Sequence, residues 1–172
     1  MIITVGGFAG SGTTTLCRKI AQQFHLTHVY AGQIFRDMAA ERGLTVQEFS
    51  AIAEQDESID RAIDEEQKRR ATDGSVVEGR ITAHLVDADL KIWLKAPLSI
   101  RAQRISGRES ISPEESKKRI TTREASEKKR YLTYYQINVD DLALYDLILN
   151  TALWDAEGVF DIVKNAVEVI KW

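Results

Sequence analysis

The chain has 172 residues, of which 44% are hydrophobic and 28% are charged, and its formal net charge is −3. This length suits one domain with a sizeable core, and the composition is that of an ordinary globular protein. Because there is no large basic excess, we expect no nucleic-acid partner, and phosphate binding would need locally positive charge.

The sequence also argues against a disulfide-stabilised protein and against a membrane-spanning one. Cys17 is the only cysteine, so an intrachain disulfide cannot form, and the thiol is expected to pack in the core. No apolar run approaches the ~18 residues of a membrane span, and the chain begins with a strand pattern instead of a signal peptide. We therefore expect a cytoplasmic protein that does not associate with membranes.

The N-terminal segment predicts a strand, a phosphate-binding loop and a helix. Gly7, Gly12 and Thr14 match the motif G-x-x-x-x-G-K-[ST], but Thr13 stands where the motif has lysine. Glycines let backbone N–H groups turn towards one anion, and the next helix adds its own N–H groups. The predicted phosphate-binding residues are Gly7, Gly10, Ser11, Gly12, Thr13, Thr14 and Thr15. The alternative is a glycine-rich turn without a ligand.

Strand and helix patterns alternate along the rest of the chain. Besides the first strand, we predict strands at 27–30, 75–78, 90–95 and 145–150. The predicted helices cover about 13–24, 31–43, 45–52, 58–71, 97–107, 113–135 and 155–170. This alternation predicts an α/β fold with a mainly parallel sheet of about five strands, in one domain covering 1–172. Two stretches exceed a minimal crossover, and we expect a second substrate at about 31–72 and a closing lid at about 106–122.

Five segments together resemble one known family. They are Gly10-Ser11-Gly12-Thr13-Thr14-Thr15, Ala31-Gly32-Gln33-Ile34-Phe35-Arg36, Glu78-Gly79-Arg80, Asp89-Leu90-Lys91-Ile92-Trp93-Leu94 and Arg123-Glu124-Ala125-Ser126-Glu127-Lys128-Lys129-Arg130-Tyr131. Over nearly the whole chain, they resemble the nucleoside monophosphate kinases, most closely the archaeal type of cytidylate kinase. A threonine in place of the loop lysine looks normal in that family, whereas Gln33 replaces an aspartate that the family often has.

The resemblance implies a fold, a reaction and its components. The fold would be that of the P-loop NTPases, with an NMP-binding insertion at about 31–72 and a lid at about 106–122. The reaction would move the γ-phosphoryl group of ATP to CMP, and also to dCMP, with Mg²⁺ as the cofactor. No general base is needed, because the acceptor is already a phosphate oxygen.

Candidate residues for the acceptor lie where helices begin after predicted strands. Arg36 stands one turn into such a helix, where an arginine can bind a monophosphate through two hydrogen bonds. It could instead form a surface pair with Asp37 or Glu41. The resemblance assigns Arg36 and Arg80 to acceptor binding. Weaker candidates for contacting the acceptor base lie on the helix at 58–71, for which a solvated helix is an equal explanation; they are Asp60, Arg61 and Lys68.

The predicted metal ligands are Glu78 and Thr14. Glu78 ends a strand beside the loop, where a carboxylate can hold Mg²⁺ through a water molecule, and the Thr14 hydroxyl suits a phosphate-bound Mg²⁺. The alternative for Glu78 is an ion pair with Arg80. The three histidines show no metal-ligand spacing; they are His25, His28 and His84.

Arginines at helical spacing are the remaining candidates. The resemblance suggests that Arg104 stacks on the adenine of ATP, and that Arg108, four residues later, reaches its phosphates. A solvated basic face is the alternative. Trp154, after the last strand, is placed near the same base.

A second arginine stripe, at 119, 123 and 130, lies on the long helix at 113–135. Arg123 and Arg130 are expected to be bridged by Glu127 and to close over the transferring group. With Arg108, they are predicted to be catalytic, because phosphoryl transfer needs positioning and positive charge that Thr13 does not supply. An exposed ladder of weak salt bridges is the alternative.

Two other functions remain open from the sequence. An adenylate kinase acting on AMP would have similar parts and would differ in its contacts to the base. A nucleotide-hydrolysing switch or assembly factor would need no acceptor, although the run Asn150-Thr151-Ala152-Leu153 lacks the Asn-Lys-x-Asp pattern of guanine-specific switches. We expect a monomer.

Overall fold

The structure is a computed structural model that describes residues 1–53 and 56–170. Its elements in chain order are β1 (Ile2–Gly7), α1 (Thr13–Phe24), β2 (Thr27–Tyr30), α2 (Ala31–Glu41), α3 (Val46–Ala53), α4 (Glu57–Arg70), β3 (Ser75–Glu78), α5 (Thr82–Leu85), β4 (Leu90–Lys95), α6 (Leu98–Glu109), α7 (Pro113–Tyr135), β5 (Leu147–Asn150) and α8 (Ala156–Val169). Within these described ranges, no helix combines the length and the apolar character needed to cross a membrane.

The sheet has five strands in the order β2-β3-β1-β4-β5, and every pairing is parallel. The central strand β1 pairs with β3, where Val5 faces Glu78, and with β4, where Gly7 faces Leu94. Since all strands run the same way, their carboxyl ends meet at one edge. The loop that follows β1 and the acid that ends β3 are therefore neighbours. The five-stranded parallel sheet confirms the predicted fold class.

Helices cover both faces of the sheet, as a parallel sheet requires. One hydrophobic cluster joins α1 and α8 to the strands and includes Ile20, Ile92 and Val163. A second cluster joins α2, α3 and α4 to the other face and includes Phe49 and Val77. The single thiol, Cys17, lies in the first cluster with no exposed surface, as expected.

Side-chain hydrogen bonds cap the beginnings of α3, α7 and α8. Glu115 N–H donates to Ser112 Oγ at 3.1 Å at the start of α7, and Gly158 N–H donates to Asp155 Oδ1 at 2.8 Å at the start of α8. Before α3, Glu48 N–H donates to Thr45 Oγ1 at 3.2 Å, and Thr45 N–H donates to the Glu48 carboxylate at 2.8 Å. These are reciprocal capping contacts that satisfy free N–H groups.

Two element boundaries and one short helix differ from the sequence-based expectations. β5 begins at Leu147, because Tyr145 instead turns back to the Leu142 carbonyl oxygen and packs its ring 5.1 Å from that of Trp93. α6 continues beyond Gly107 to Glu109 and ends at Ser110, which adopts a left-handed conformation with φ 55°. The short helix α5 was not predicted, because four residues are too few to show helical periodicity.

Alanine substitution is expected to have opposite effects at two glycines, because their backbone conformations differ. Gly107 lies inside the helix with open space around it, whereas Gly43 has open space but a φ of +67°. We expect Gly107→Ala to raise the free energy of unfolding by about 0.5–1 kcal/mol, because alanine loses less entropy in a helix. Gly43→Ala should lower it by about 1 kcal/mol, because a side chain strains left-handed backbone. Urea titration of both variants checks the signs; destabilisation by Gly107→Ala would place the helix end earlier.

Candidate active site

The loop after β1 requires glycine for two different reasons. Gly10 has a φ of +82°, and a Cβ there would approach the Arg101 carbonyl oxygen to 2.7 Å. Gly12 has a φ of +98° and immediately precedes α1. Ser11 N–H donates to the Phe8 carbonyl oxygen at 3.0 Å and closes the turn. The backbone therefore curls tightly against the N-terminus of α1, where free N–H groups attract an anion.

A first cavity of about 430 Å³ lies along this loop. Residues 10–15 line it, which are all of the predicted phosphate-binding residues except Gly7. Arg104, Arg108 and Trp154 form other parts of its wall. The Ser11 hydroxyl is buried and has no hydrogen-bond partner among the described residues. The arrangement supplies N–H groups, hydroxyls and two guanidinium groups to an elongated anionic ligand.

A second cavity of about 300 Å³ lies on the other side of the loop. Its wall includes Gly7, Glu78, Arg80, Arg123 and Glu127, together with residues 30–32 at the start of α2. Four residues line both cavities, and they are Gly10, Thr13, Thr14 and Arg108. Two ligands bound in the two cavities would therefore meet at the loop.

Glu78 is the carboxylate closest to the loop hydroxyls. Its Oε1 accepts hydrogen bonds from Thr13 Oγ1 at 2.8 Å and Thr14 Oγ1 at 2.6 Å, and its Oε2 lies 3.0 Å from His28 Nε2. Burial acts to raise the pKa of Glu78, but the bonds from His28, Thr14 and Thr13 outweigh it and hold the pKa below its usual value. The group is therefore an ionised oxygen donor of the kind that Mg²⁺ prefers.

The predicted alternative for Glu78 is wrong, because Arg80 pairs with Glu127 instead. Glu127 is only 7% exposed and also accepts from Arg123 Nε at 2.8 Å. The expected bridge from Glu127 to Arg130 is wrong as well, since Arg130 pairs with Asp60 of α4. The physical reason is that Glu127 is buried, so one of its partners must also be buried. Arg80 reaches Glu127 from the end of β3 and is 9% exposed. Arg80 Nε remains buried without a partner among the described residues.

Arg36 does not form either of the surface pairs considered from the sequence. It donates to Tyr30 Oη at 2.5 Å and to Gln33 Oε1 at 3.0 Å. Asp37 is held by Arg70 at 2.7 Å and by Gln33 at 2.8 Å. Within the described part of the chain, Arg36 donates hydrogen bonds to neutral oxygens and forms no salt bridge with a carboxylate.

The remaining predicted residues lie at three different places. Arg104 lines the first cavity and donates to the Gly10 carbonyl oxygen at 3.1 Å and to Thr151 Oγ1 at 2.9 Å. Arg108 is exposed and pairs with Glu109. The other predicted residues, Asp60, Arg61 and Lys68, are on α4 and line neither described cavity.

Two side chains that support the site were missed in the sequence. Arg101 is buried, donates to the Ala9 carbonyl oxygen at 3.1 Å and pairs with Glu124 at 2.5 Å. Its position three residues before Arg104 placed it near the same helical face. Gln67 donates to the Glu78 carbonyl oxygen at 2.5 Å and is buried. In the sequence, Gln67 lies four residues after the apolar Ile63, and this helical spacing indicated that Gln67 is on the buried face of α4.

Comparison with known proteins agrees with this geometry. The model of the cytidylate kinase-like family matches residues 2–153. The chain belongs to the cytidylate kinase-like family. Among its relatives, the cytidylate kinase of Methanocaldococcus jannaschii is 51% identical over 177 residues, covering 99% of both chains. That of Pyrococcus horikoshii is 52% identical over 170 residues, covering 98% of this cytidylate kinase-like chain and 88% of the relative.

A solved structure supports the fold of this cytidylate kinase-like protein. Shikimate kinase from Acinetobacter baumannii in complex with shikimate aligns with a TM-score of 0.63 and 15% identity, over 99% of this chain and 95% of that one. At this identity the likeness establishes the P-loop kinase fold alone.

Proposed function

We propose that this chain is an ATP-dependent cytidylate kinase, which transfers the γ-phosphoryl group of ATP to CMP, and also to dCMP, giving CDP and ADP. The proposal is carried by identity of about half of all residues, over nearly the full length, to archaeal cytidylate kinases. The two cavities that meet at the phosphate loop support it, because a donor and an acceptor nucleotide must be in contact at the reacting phosphates.

ATP is proposed to occupy the first cavity. Its phosphates would be bound by the loop and by the N-terminus of α1, with Gly7 contributing from the second cavity. Its base would lie between Arg104 and Trp154, where a flat guanidinium group can stack on a purine. The hydrogen bonds from Arg104 to Gly10 and Thr151 would hold that guanidinium in place.

Mg²⁺ is proposed to be held by Thr14 and Glu78, whose hydroxyl and ionised carboxylate match its preference for oxygen ligands. When bound, it would neutralise charge on the phosphate oxygens. The chain's own contribution is to orient the carboxylate, which His28 and Thr13 do through hydrogen bonds.

CMP is proposed to occupy the second cavity, with its phosphate between Arg36 and Arg80. The buried, unpartnered Nε of Arg80 supports this, since buried donors without partners are rare unless a ligand satisfies them. Among the described residues Arg36 forms no salt bridge and donates to two neutral oxygens, which leaves its charge available to a phosphate. For Asp60, Arg61 and Lys68 a contact to the base requires α4 to approach the cavity, as closure of the insertion at 31–72 would allow.

Catalysis is proposed to depend on Arg108, Arg123 and Arg130. Arg108 lines both cavities and Arg123 lines the second, which supports a role for these two at the place where the reacting phosphates are proposed to meet. Arg130 would have to exchange Asp60 for a phosphate oxygen when the lid at 106–122 closes. Closure would also exclude water and limit hydrolysis of ATP. A monomeric, cytoplasmic enzyme remains a prediction that rests on the sequence.

The acceptor panel is the direct test of the proposed function. With ATP and Mg²⁺ present, we expect CMP to be phosphorylated with a much higher kcat/KM than AMP, GMP or UMP, as measured by chromatography of the products. A preference for AMP would reassign the chain to adenylate kinases. Release of inorganic phosphate at the same rate without any acceptor would instead indicate a hydrolysing switch.

Arg36 is expected to act on the acceptor alone. Arg36→Ala should weaken CMP binding by roughly 2–5 kcal/mol, because a charge-assisted contact to a phosphate is lost. ATP binding, measured by the same calorimetry, should stay within about twofold of wild type. Arg42→Ala is the matched control, since Arg42 is exposed at the end of the same helix and contacts the Met38 carbonyl oxygen. Equal weakening of ATP and CMP binding would remove Arg36 from the acceptor site.

The missing loop lysine makes a prediction about kcat. Arg123→Ala and Arg130→Ala should lower kcat by up to roughly 10³–10⁵, the range for an arginine that stabilises the transferring phosphoryl group. Thr13→Ala should lower kcat far less, because the Thr13 hydroxyl is committed to Glu78. Arg119→Ala is the control on the same helix, since Arg119 is 59% exposed and pairs with Glu115.

These rates are measured at saturating ATP and CMP, so that binding defects do not enter kcat. If Thr13→Ala is the most damaging change and Arg130→Ala remains near wild type, the arginines do not replace the lysine.

A further inference from the structure

Three potential metal ligands lie together behind the phosphate loop. They are Cys17 of α1, His28 of β2 and Glu78 of β3, and one ligand atom of each lies within 4.8 Å of the other two. The register of the sheet brings two of these side chains together. Strands β2 and β3 pair in parallel, with His28 opposite Val76 and Tyr30 opposite Glu78. His28 and Glu78 therefore point to the same face of the sheet, on which Cys17 packs from α1.

The chemistry of this cluster differs from that of a magnesium site. Thiolate sulfur, imidazole nitrogen and carboxylate oxygen are the ligands of Zn²⁺ and similar cations, whereas Mg²⁺ takes oxygen ligands. Binding of Mg²⁺ through Glu78 and Thr14 makes no use of the Cys17 sulfur. Ligand atoms around one tetrahedral Zn²⁺ lie about 3.5 Å apart. The His28–Glu78 separation of 3.0 Å is close to this value, so modest side-chain rotation would complete the set.

We propose that Cys17, His28 and Glu78 form a binding site for Zn²⁺, and that its occupation inhibits the phosphoryl transfer. The Zn²⁺ ion would bind the Cys17 sulfur in place of the thiol proton, which leaves to solvent, and the neutral nitrogen of His28. The third ligand is the ionised carboxylate of Glu78. Three protein ligands leave a fourth position, which water can occupy.

The inhibition follows from the shared carboxylate. Glu78 accepts hydrogen bonds from both Thr13 and Thr14 and lines the second cavity. A Zn²⁺ ion on its buried side would draw the carboxylate towards Cys17 and away from the loop hydroxyls. Because Cys17 has no exposed surface, the ion must enter past Glu78 from the cavity. Binding is therefore expected to be slower than for a surface site.

The binding is tested with Co²⁺, which takes the same ligands and reports sulfur coordination through its charge-transfer absorption. Titrated into the full chain without nucleotide, Co²⁺ should give this absorption in the wild type, and Zn²⁺ should abolish it. Cys17→Ala should remove the absorption, and His28→Gln should weaken the apparent affinity at least tenfold. His84→Gln is the matched control, since His84 is exposed and lies on α5, which contributes none of the three ligands, and it should behave as wild type.

Circular dichroism of each variant establishes that it is folded, and His28→Gln carries the test if Cys17→Ala is not. Absence of a sulfur–cobalt absorption in the wild type would overturn the proposed site. So would the same absorption in folded Cys17→Ala.

The inhibition is tested separately and rests on the proposed function. At saturating ATP, CMP and Mg²⁺, buffered free Zn²⁺ should lower kcat of the wild type at a concentration at least tenfold below that needed for Cys17→Ala. Equal sensitivity of the two would overturn the inhibition. Because the absorption is measured without nucleotide, its outcome is independent of whether CMP is the acceptor.

Discussion

The parallel pairing of β1 with β3 is the constraint on which the whole site depends. It places Val5 opposite Glu78, so that the phosphate loop and the carboxylate leave the sheet side by side. A shift of one residue in this register would turn the Glu78 side chain to the other face of the sheet. The hydrogen bonds from Thr13 and Thr14 follow from this register, and the contact with His28 follows from the parallel pairing of β2 with the same strand β3.

Positive charge around the loop is divided between two tasks. Arg101 and Arg104 donate to the carbonyl oxygens of Ala9 and Gly10, so they hold the loop in its curled form, and Arg104 also lines the first cavity. Arg80, Arg108 and Arg123 line the cavities and can act on ligands. Since Thr13 turns its hydroxyl to Glu78, no side chain of the loop itself brings a positive charge. The arginines of other elements are therefore the available source.

Helix α7 connects three parts of the molecule through ion pairs that differ in solvent exposure. Glu124 pairs with Arg101 near the loop, Glu127 pairs with Arg80 at the end of β3, and Arg130 pairs with Asp60 on α4. Separating one partner of a buried pair is costly, whereas a partly exposed pair contributes little. The Arg130–Asp60 pair is the most exposed of the three, so it is the contact that a closing movement can exchange most easily.

The sequence by itself determined the alternation of strands and helices along the chain, the glycine loop and the family. These features depend on local conformation, on periodicity or on motifs, all of which are visible along the chain. Only the tertiary structure decided which charged groups of different elements meet. Helical spacing placed Arg123, Glu127 and Arg130 on one stripe, but the partners of Glu127 and Arg130 include Arg80 and Asp60, which are 47 and 70 residues away. Spacing specifies which residues share a face, and packing between elements specifies what that face meets; this also explains why Cys17, His28 and Glu78 showed no common pattern.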